Sequence, residues 1–135
     1  VVLVHDAARP LTPASQFDAV AEAVRAGHDA VVPGLPVTDT IKQVGVDGRV
    51  LGTPERVLLR AIQTPQGFRR EVLAAAHAAS ESATDATATD DAGLVERMGG
   101  SVYVVPGHEE AFKVTHPLDL LLAEAVLGAR RTQSA

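Results

Sequence analysis

Four consecutive apolar residues, Val1-Val2-Leu3-Val4, give way without transition to a charged stretch, His5-Asp6-Ala7-Ala8-Arg9-Pro10. A short apolar run bounded in this way predicts a strand covered on both faces, as in a mostly parallel sheet. A helix should follow, with Thr12 as its cap, Pro13 in its first turn, and Phe17, Val20, Ala21 and Val24 on one face until Gly27. Ala30 to Val32 predicts the next strand. The order strand, loop, helix, strand is one βαβ unit, whose ligand site belongs at the carboxyl ends of its strands, where residues 5–10 lie. A chain that opens inside a core strand is expected to be the later part of a longer domain.

The 135 residues, 46% of them apolar, suit a single α/β domain or most of one. Three Phe, one Tyr and no Trp leave little for stacking on bases, and a net charge of -5 argues against long nucleic acid. A small phosphate remains possible, because Arg9, Lys42, Arg56 and Lys113 need only converge locally. The absence of cysteine removes disulfides, thiolate metal sites and cysteine nucleophiles, and suits a reducing cytoplasm. No stretch has the pattern of a signal peptide or the length of a membrane span, so neither membrane nor nucleic acid is an expected partner.

Between Pro36 and Val57 the texture changes. Thr38 to Val44 alternates imperfectly, and Asp47-Gly48 predicts a hairpin turn before Arg49-Val50-Leu51. This is expected to be a projecting β-arm, and so slight a ribbon needs a surface to pack on, such as a second copy of the chain. The sheet resumes at Arg60 to Gln63 and ends in a strand-to-helix loop, Thr64-Pro65-Gln66-Gly67-Phe68. Val72, Leu73, Ala76 and Ala79 predict a helix, and residues 80–88 a surface loop or weak helix end. Thr89 is expected to cap a further helix that Gly99-Gly100 closes; strands follow at Ser101 to Val105 and Ala111 to Val114. The last helix starts near Pro117 with Leu118, Leu121, Leu122, Ala125 and Val126 on one side. The expected organisation is an α/β core at 1–35 and 58–131, the arm at 36–57, and a frayed tail at 132–135.

Asp6 at a strand end suits either a Mg²⁺ ion or a loop salt bridge with Arg9, the bridge being the commoner arrangement. Thr64 and Thr89, each ahead of a predicted helix, suit capping or donation of a hydroxyl to phosphate. Asp90 and Asp91 belong in a first helical turn, where acids serve the dipole. Lys113 interrupts an apolar stretch and is costly if turned inward, so it should face solvent or a ligand. The five His residues have no zinc-ligand spacing, and no Ser has the setting of a nucleophile.

One ordered set of motifs changes these odds: His5-Asp6-Ala7-Ala8-Arg9-Pro10, Asp39-Thr40-Ile41-Lys42, Thr53-Pro54-Glu55-Arg56, Thr64-Pro65-Gln66-Gly67-Phe68, Thr89-Asp90-Asp91-Ala92 and Phe112-Lys113-Val114-Thr115. Over nearly its whole length the chain resembles the C-terminal part of the 2-C-methyl-D-erythritol 4-phosphate cytidylyltransferases. The resemblance implies a partial Rossmann-like nucleotidyltransferase fold and a homodimer joined through the β-arm. It also implies transfer of a cytidylyl group from CTP to methylerythritol phosphate with Mg²⁺, releasing pyrophosphate, in non-mevalonate isoprenoid synthesis.

Position by position, Asp6 matches the family's metal- and substrate-contacting acid, and Asp6 and Lys113 fall at catalytic positions. The backbone of Ala7 with the side chains of Arg9, Thr64, Thr89 and Lys113 would hold the sugar phosphate. Thr40 and Arg56 match arm residues that enter the neighbouring subunit's site. The family's glycine-rich triphosphate loop has no counterpart among these motifs, so the chain by itself is expected to be inactive. A ribitol 5-phosphate type of cytidylyltransferase is the nearest alternative, and a non-catalytic fragment keeping only the interface and phosphate loop is the other.

Overall fold

The computed structural model describes residues 1–83 and 88–135. Part of the expected 80–88 surface loop therefore lies outside the described residues. A central strand organises the rest. β1 (Val2–Val4) leads through the charged loop into α1 (Ala14–Arg25), which returns to β2 (Ala30–Pro36). A two-stranded ribbon follows, β3 (Gln43–Val44) with β4 (Val50–Gly52), then β5 (Arg60–Ile62), β6 (Gln66–Phe68), α2 (Arg70–Glu81), α3 (Asp91–Arg97), β7 (Val102–Pro106) and α4 (Pro117–Gln133).

The five-stranded sheet is mixed, and this corrects the expectation of a mostly parallel one. Only β7 pairs in parallel with β2; β6 runs antiparallel to both β1 and β2, and β5 runs antiparallel to β2. An apolar run reports that both faces of a strand are covered, but it carries no information on direction. β5 and β6 follow one another along the same edge of β2. Ile62 stands opposite Gly34 while Gly67 stands opposite Val31, so the pairing shifts by two residues at Thr64 and Pro65. The segment read as a strand-to-helix loop is thus a break between two strands, and the break frees Thr64 from the ladder.

Alternation along β2 builds two core layers. Ala30 and Val32 pack with Phe68, Ala76, Ala92 and Val95 under α2 and α3, while Val31 packs with Val20 and Val24 under α1. Burying each of these larger side chains stabilises the fold by roughly 1.5–3 kcal/mol. β1 is less covered than expected: among the described residues it pairs on one edge, with β6, and Leu3 and Val4 are 36% and 38% exposed. The stripe expected to bury α4 is also largely open, with Leu118 75% and Leu121 64% exposed, and Ala123 is the helix's buried residue. Periodicity identifies an apolar face but not what lies against it. The tail expected at 132–135 is shorter, because α4 runs to Gln133.

Capping differs from the sequence expectation in two places, and one expected strand is missing among the described residues. Pro13, not Thr12, is the residue before α1, and the Thr12 hydroxyl donates to the Arg9 carbonyl at 2.9 Å. Asp90, not Thr89, caps α3, its Oδ1 accepting the Gly93 N–H at 2.8 Å. The residues after β7 form a single 3₁₀ turn at Glu109–Ala111 and then extended chain, not the strand expected at 111–114.

At α4, Asp119 accepts the backbone N–H groups of Thr115 at 3.0 Å and His116 at 2.9 Å. These bonds hold its carboxyl below the usual Asp range. A lowered folded-state value stabilises the fold fully above the ordinary Asp value and is lost as pH falls through the lower one. Denaturant titrations across the acid range should therefore show a component of stability that disappears in acid, and that Asp119→Asn removes. An unchanged acid slope in Asp119→Asn would refute it.

Candidate active site

The site begins with a turn. The Arg9 N–H donates to the Asp6 carbonyl at 3.0 Å, which folds residues 6–9 back on the end of β1. Across the sheet, the strand break presents Thr64, whose Oγ1 accepts the Asp6 backbone N–H at 3.0 Å. From the C-terminal side the extended segment docks on the same turn. The Val114 N–H donates to the Ala8 carbonyl at 2.8 Å, and Arg9 Nη1 donates to the Ala111 carbonyl at 2.8 Å. This docking, rather than a strand, carries Lys113 to the site.

Two cations then share one carboxylate oxygen. Arg9 Nε lies 3.3 Å and Lys113 Nζ 3.4 Å from Asp6 Oδ2, while Oδ1 joins neither pair. Arg9 is the buried member, its side chain 12% exposed against 47% for Lys113. The loop salt bridge expected of Asp6 is therefore present, and Oδ1 takes no part in it. The half-exposed Lys113–Asp6 pair adds at most about 1 kcal/mol to stability.

Asp6, Arg9, Thr64, Thr89 and Lys113 line a single cavity of about 330 Å³. That size suits a small phosphorylated ligand. Its far wall carries Asp90 and Asp91, which the sequence assigned to the helix start. Asp90 caps α3 and accepts Gln66 Nε2 at 2.9 Å through Oδ2; Asp91 pairs with His77 at 2.7 Å. Asp91 stands in the first turn of α3 as expected, while Asp90 takes the cap position that was expected of Thr89. Among the described residues no group of three or more His, Asp or Glu is placed to hold a metal.

Ala7, Thr40 and Arg56 are not among the cavity-lining residues. Ala7 is exposed on the turn, and Arg56 Nη1 donates to the Thr38 carbonyl at 2.6 Å, holding the base of the ribbon. The β3–β4 hairpin itself is present where it was expected, its turn made possible by Gly48 at φ 84°.

Two supporting residues escaped sequence reasoning. Gln63 and Gln66 are 5% and 4% exposed, on either side of the strand break. Gln63 imitates a strand partner, donating to the His108 carbonyl at 2.9 Å and accepting its N–H at 3.0 Å. Gln66 joins the sheet to α3 by accepting the Ala92 N–H at 3.2 Å and donating to Asp90. Their signal was a pair of amides flanking Thr64-Pro65 inside an otherwise apolar sheet, since buried amides persist where their bonds are satisfied.

A mixed sheet covered by helices on both faces, with a polar cavity where β1 ends, is the Rossmann-like nucleotidyltransferase fold. Solved structures share it. The Thermus thermophilus 2-C-methyl-D-erythritol 4-phosphate cytidylyltransferase matches with a TM-score of 0.82 at 42% identity, over 93% of this chain and 61% of that one. The 4-diphosphocytidyl-2C-methyl-D-erythritol synthase of Anaerococcus prevotii matches with a TM-score of 0.84 at 32% identity, over 94% of this chain and 58% of that one.

The chain belongs to the IspD family, 2-C-methyl-D-erythritol 4-phosphate cytidylyltransferase, whose model matches residues 1–129. Curated relatives agree. The enzyme of that name from Streptomyces avermitilis is 61% identical over 97% of this chain and 53% of its own length, and that from Rhodococcus jostii 60% identical over 93% and 54%. The chain thus spans about half the length of the curated relatives it matches. No helix among the described residues is long and apolar enough to cross a membrane.

Proposed function

We propose that this chain forms the acceptor side of a cytidylyltransferase that moves a cytidylyl group from CTP to 2-C-methyl-D-erythritol 4-phosphate, in isoprenoid synthesis in the cytoplasm. The observation that carries the reading is the convergence of Arg9 and Lys113 on one oxygen of Asp6 in a cavity of about 330 Å³. In the reaction a phosphate oxygen of the acceptor attacks the α-phosphorus of CTP, and the bond to pyrophosphate breaks as the new one forms. A phosphate dianion needs no proton removed before it attacks. What the protein supplies is alignment and neutralisation of charge, the work suited to Arg9 and Lys113.

The donor set fits a divalent cation such as Mg²⁺. Such an ion keeps several waters and takes oxygens from substrate phosphates, so one carboxylate oxygen, Asp6 Oδ1, is a sufficient protein contribution. When bound, the ion offsets negative charge at the reacting phosphate. Ala7 through its backbone, with Thr64 and Thr89, completes the pocket in this reading.

The division into a core at 1–35 and 58–131, an arm at 36–57 and a short tail belongs to the same proposal. Thr40 and Arg56 serve a second copy's cavity, and the exposed Val57 and Leu58 at the arm's base support an interface there. Neither nucleic acid nor membrane has a part in it.

Calorimetry of the chain is expected to show saturable binding of methylerythritol phosphate, tighter than of ribitol 5-phosphate. Sedimentation in the same buffer should report a dimer. A clear preference for ribitol 5-phosphate would overturn the choice of acceptor, and a monomer at high concentration would overturn the role of the arm.

A further inference from the structure

Thr64 lines the cavity, yet its hydroxyl is committed on two sides before any ligand arrives. Its Oγ1 accepts the Asp6 N–H at 3.0 Å and lies 2.9 Å from His5 Nδ1. On the other side of the ring, His5 Nε2 lies 3.3 Å from the Arg9 carbonyl oxygen. A carbonyl has no hydrogen to give, so in the neutral imidazole the proton sits on Nε2 and Nδ1 is bare. The hydrogen between His5 and Thr64 must then come from Thr64. An edge contact with Phe17, ring centroids 4.8 Å apart at 65°, supports the ring in this orientation.

With its hydrogen turned to His5 and one lone pair taken by Asp6, the Thr64 oxygen has one lone pair left. Toward a ligand it is an acceptor only. A phosphate dianion is also an acceptor only, so the two do not pair. A ligand hydroxyl does pair with it.

We propose that His5 is a positioning residue: by accepting the Thr64 hydroxyl hydrogen, it makes Thr64 a reader of a hydroxyl on the polyol part of the acceptor, not of its phosphate. Of the two roles the sequence left open for Thr64, capping or donation of its hydroxyl to phosphate, this removes the second. It rests on the proposed function, which supplies a ligand carrying both groups, and it leaves the phosphate to Arg9 and Lys113. The same bond orients the Asp6 backbone, because Thr64 with its hydrogen elsewhere keeps a lone pair on the Asp6 N–H.

Nitrogen NMR of the chain at mildly alkaline pH reads the tautomer directly. A proton on Nε2 with bare Nδ1 is expected; a proton on Nδ1 overturns the inference whatever the chain binds. Calorimetry with methylerythritol phosphate, and separately with inorganic phosphate, reads the consequence. Thr64→Val should weaken the polyol phosphate about tenfold, the value of one hydrogen bond, and leave inorganic phosphate within about twofold. Equal losses for both ligands overturn the inference.

His5→Asn keeps an acceptor where Nδ1 stands and should retain most of the binding. His5→Phe keeps the ring against Phe17 but frees the Thr64 hydrogen to turn to the cavity, so inorganic phosphate should gain affinity while the polyol phosphate loses less than in Thr64→Val. Equal weakening in the two His5 variants refutes a role through the hydrogen bond. Intact binding of the polyol phosphate with the proton on Nδ1 would sink this inference alone, whereas a chain that binds no polyol phosphate removes the proposed function and the inference with it.

Discussion

Gly67→Ala lowers the stability of the chain by about 2–3 kcal/mol in urea or guanidinium unfolding, while Gly128→Ala raises it by about 0.5–1 kcal/mol. The substitution is the same and the sign is opposite. A Cβ on Gly67 would meet Val20 Cγ1 at 2.5 Å, with Val24 Cγ2 at 3.1 Å and Leu3 Cδ2 at 3.2 Å. Val20 and Val24 are buried at 0% and 2% exposure on α1, so neither can swing aside. Relief requires α1 to lift from the sheet, and that thins the layer holding Val31. Gly128 lies inside α4 with nothing within 4 Å of its would-be Cβ, so alanine there only removes backbone freedom from the unfolded chain. Unchanged stability in Gly67→Ala would mean that α1 packs less closely on β6 than the structure has it.

Lys113→Met weakens binding of methylerythritol phosphate by about 10- to 100-fold, as expected when a charge-assisted bond to phosphate is lost. Its effect on folding is small. The Lys113 side chain is 47% exposed and its ion pair with Asp6 is solvent-screened, so unfolding should shift by less than about 1 kcal/mol. Arg9 cannot be tested so cleanly, because its guanidinium also holds the Ala111 carbonyl and with it the docking of the 111–114 segment. Calorimetry beside a denaturant titration separates the two effects for Lys113. A large loss of stability with unchanged binding would make Lys113 a structural residue and remove the main support for the phosphate reading.

Much of the site was legible as a set of motifs. Local context left Asp6, Arg9, Thr64, Thr89 and Lys113 each with a structural reading beside the functional one, the ordered motifs of the resemblance grouped them, and all five line one cavity. Their local explanations fared less well. Thr64 was expected ahead of a helix and stands at a strand break; Lys113 was expected in a strand and stands in extended chain docked on the 6–9 turn. A threonine before a proline or a lysine among apolar residues looks the same in either setting, since propensity is weak where tertiary contacts decide. Gln63 and Gln66 were passed over because an amide declares its role only through its partners, which here are 45 and 24–26 residues away.

By itself the sequence determined the periodic elements: α1, β2, the β3–β4 hairpin with its Asp47-Gly48 turn, α2, α3, β7 and α4 all lie near where spacing, glycines and alternation put them, although β2 runs on past the expected Val32 to Pro36. Those signals are local, written within a few turns of one segment. Strand direction, the shift of two residues between β5 and β6, the exposure of the α4 stripe and the meeting of Arg9 with Lys113 on Asp6 were decided only in the tertiary structure. Each depends on what a distant segment brings alongside, and hydrophobic burial, the dominant force of folding, is non-directional. The same reason governs Thr64. Its residue type allowed a hydrogen-bond donor or an acceptor, and only the neighbours that folding supplies, His5 on one side and the Asp6 N–H on the other, set which of the two it offers.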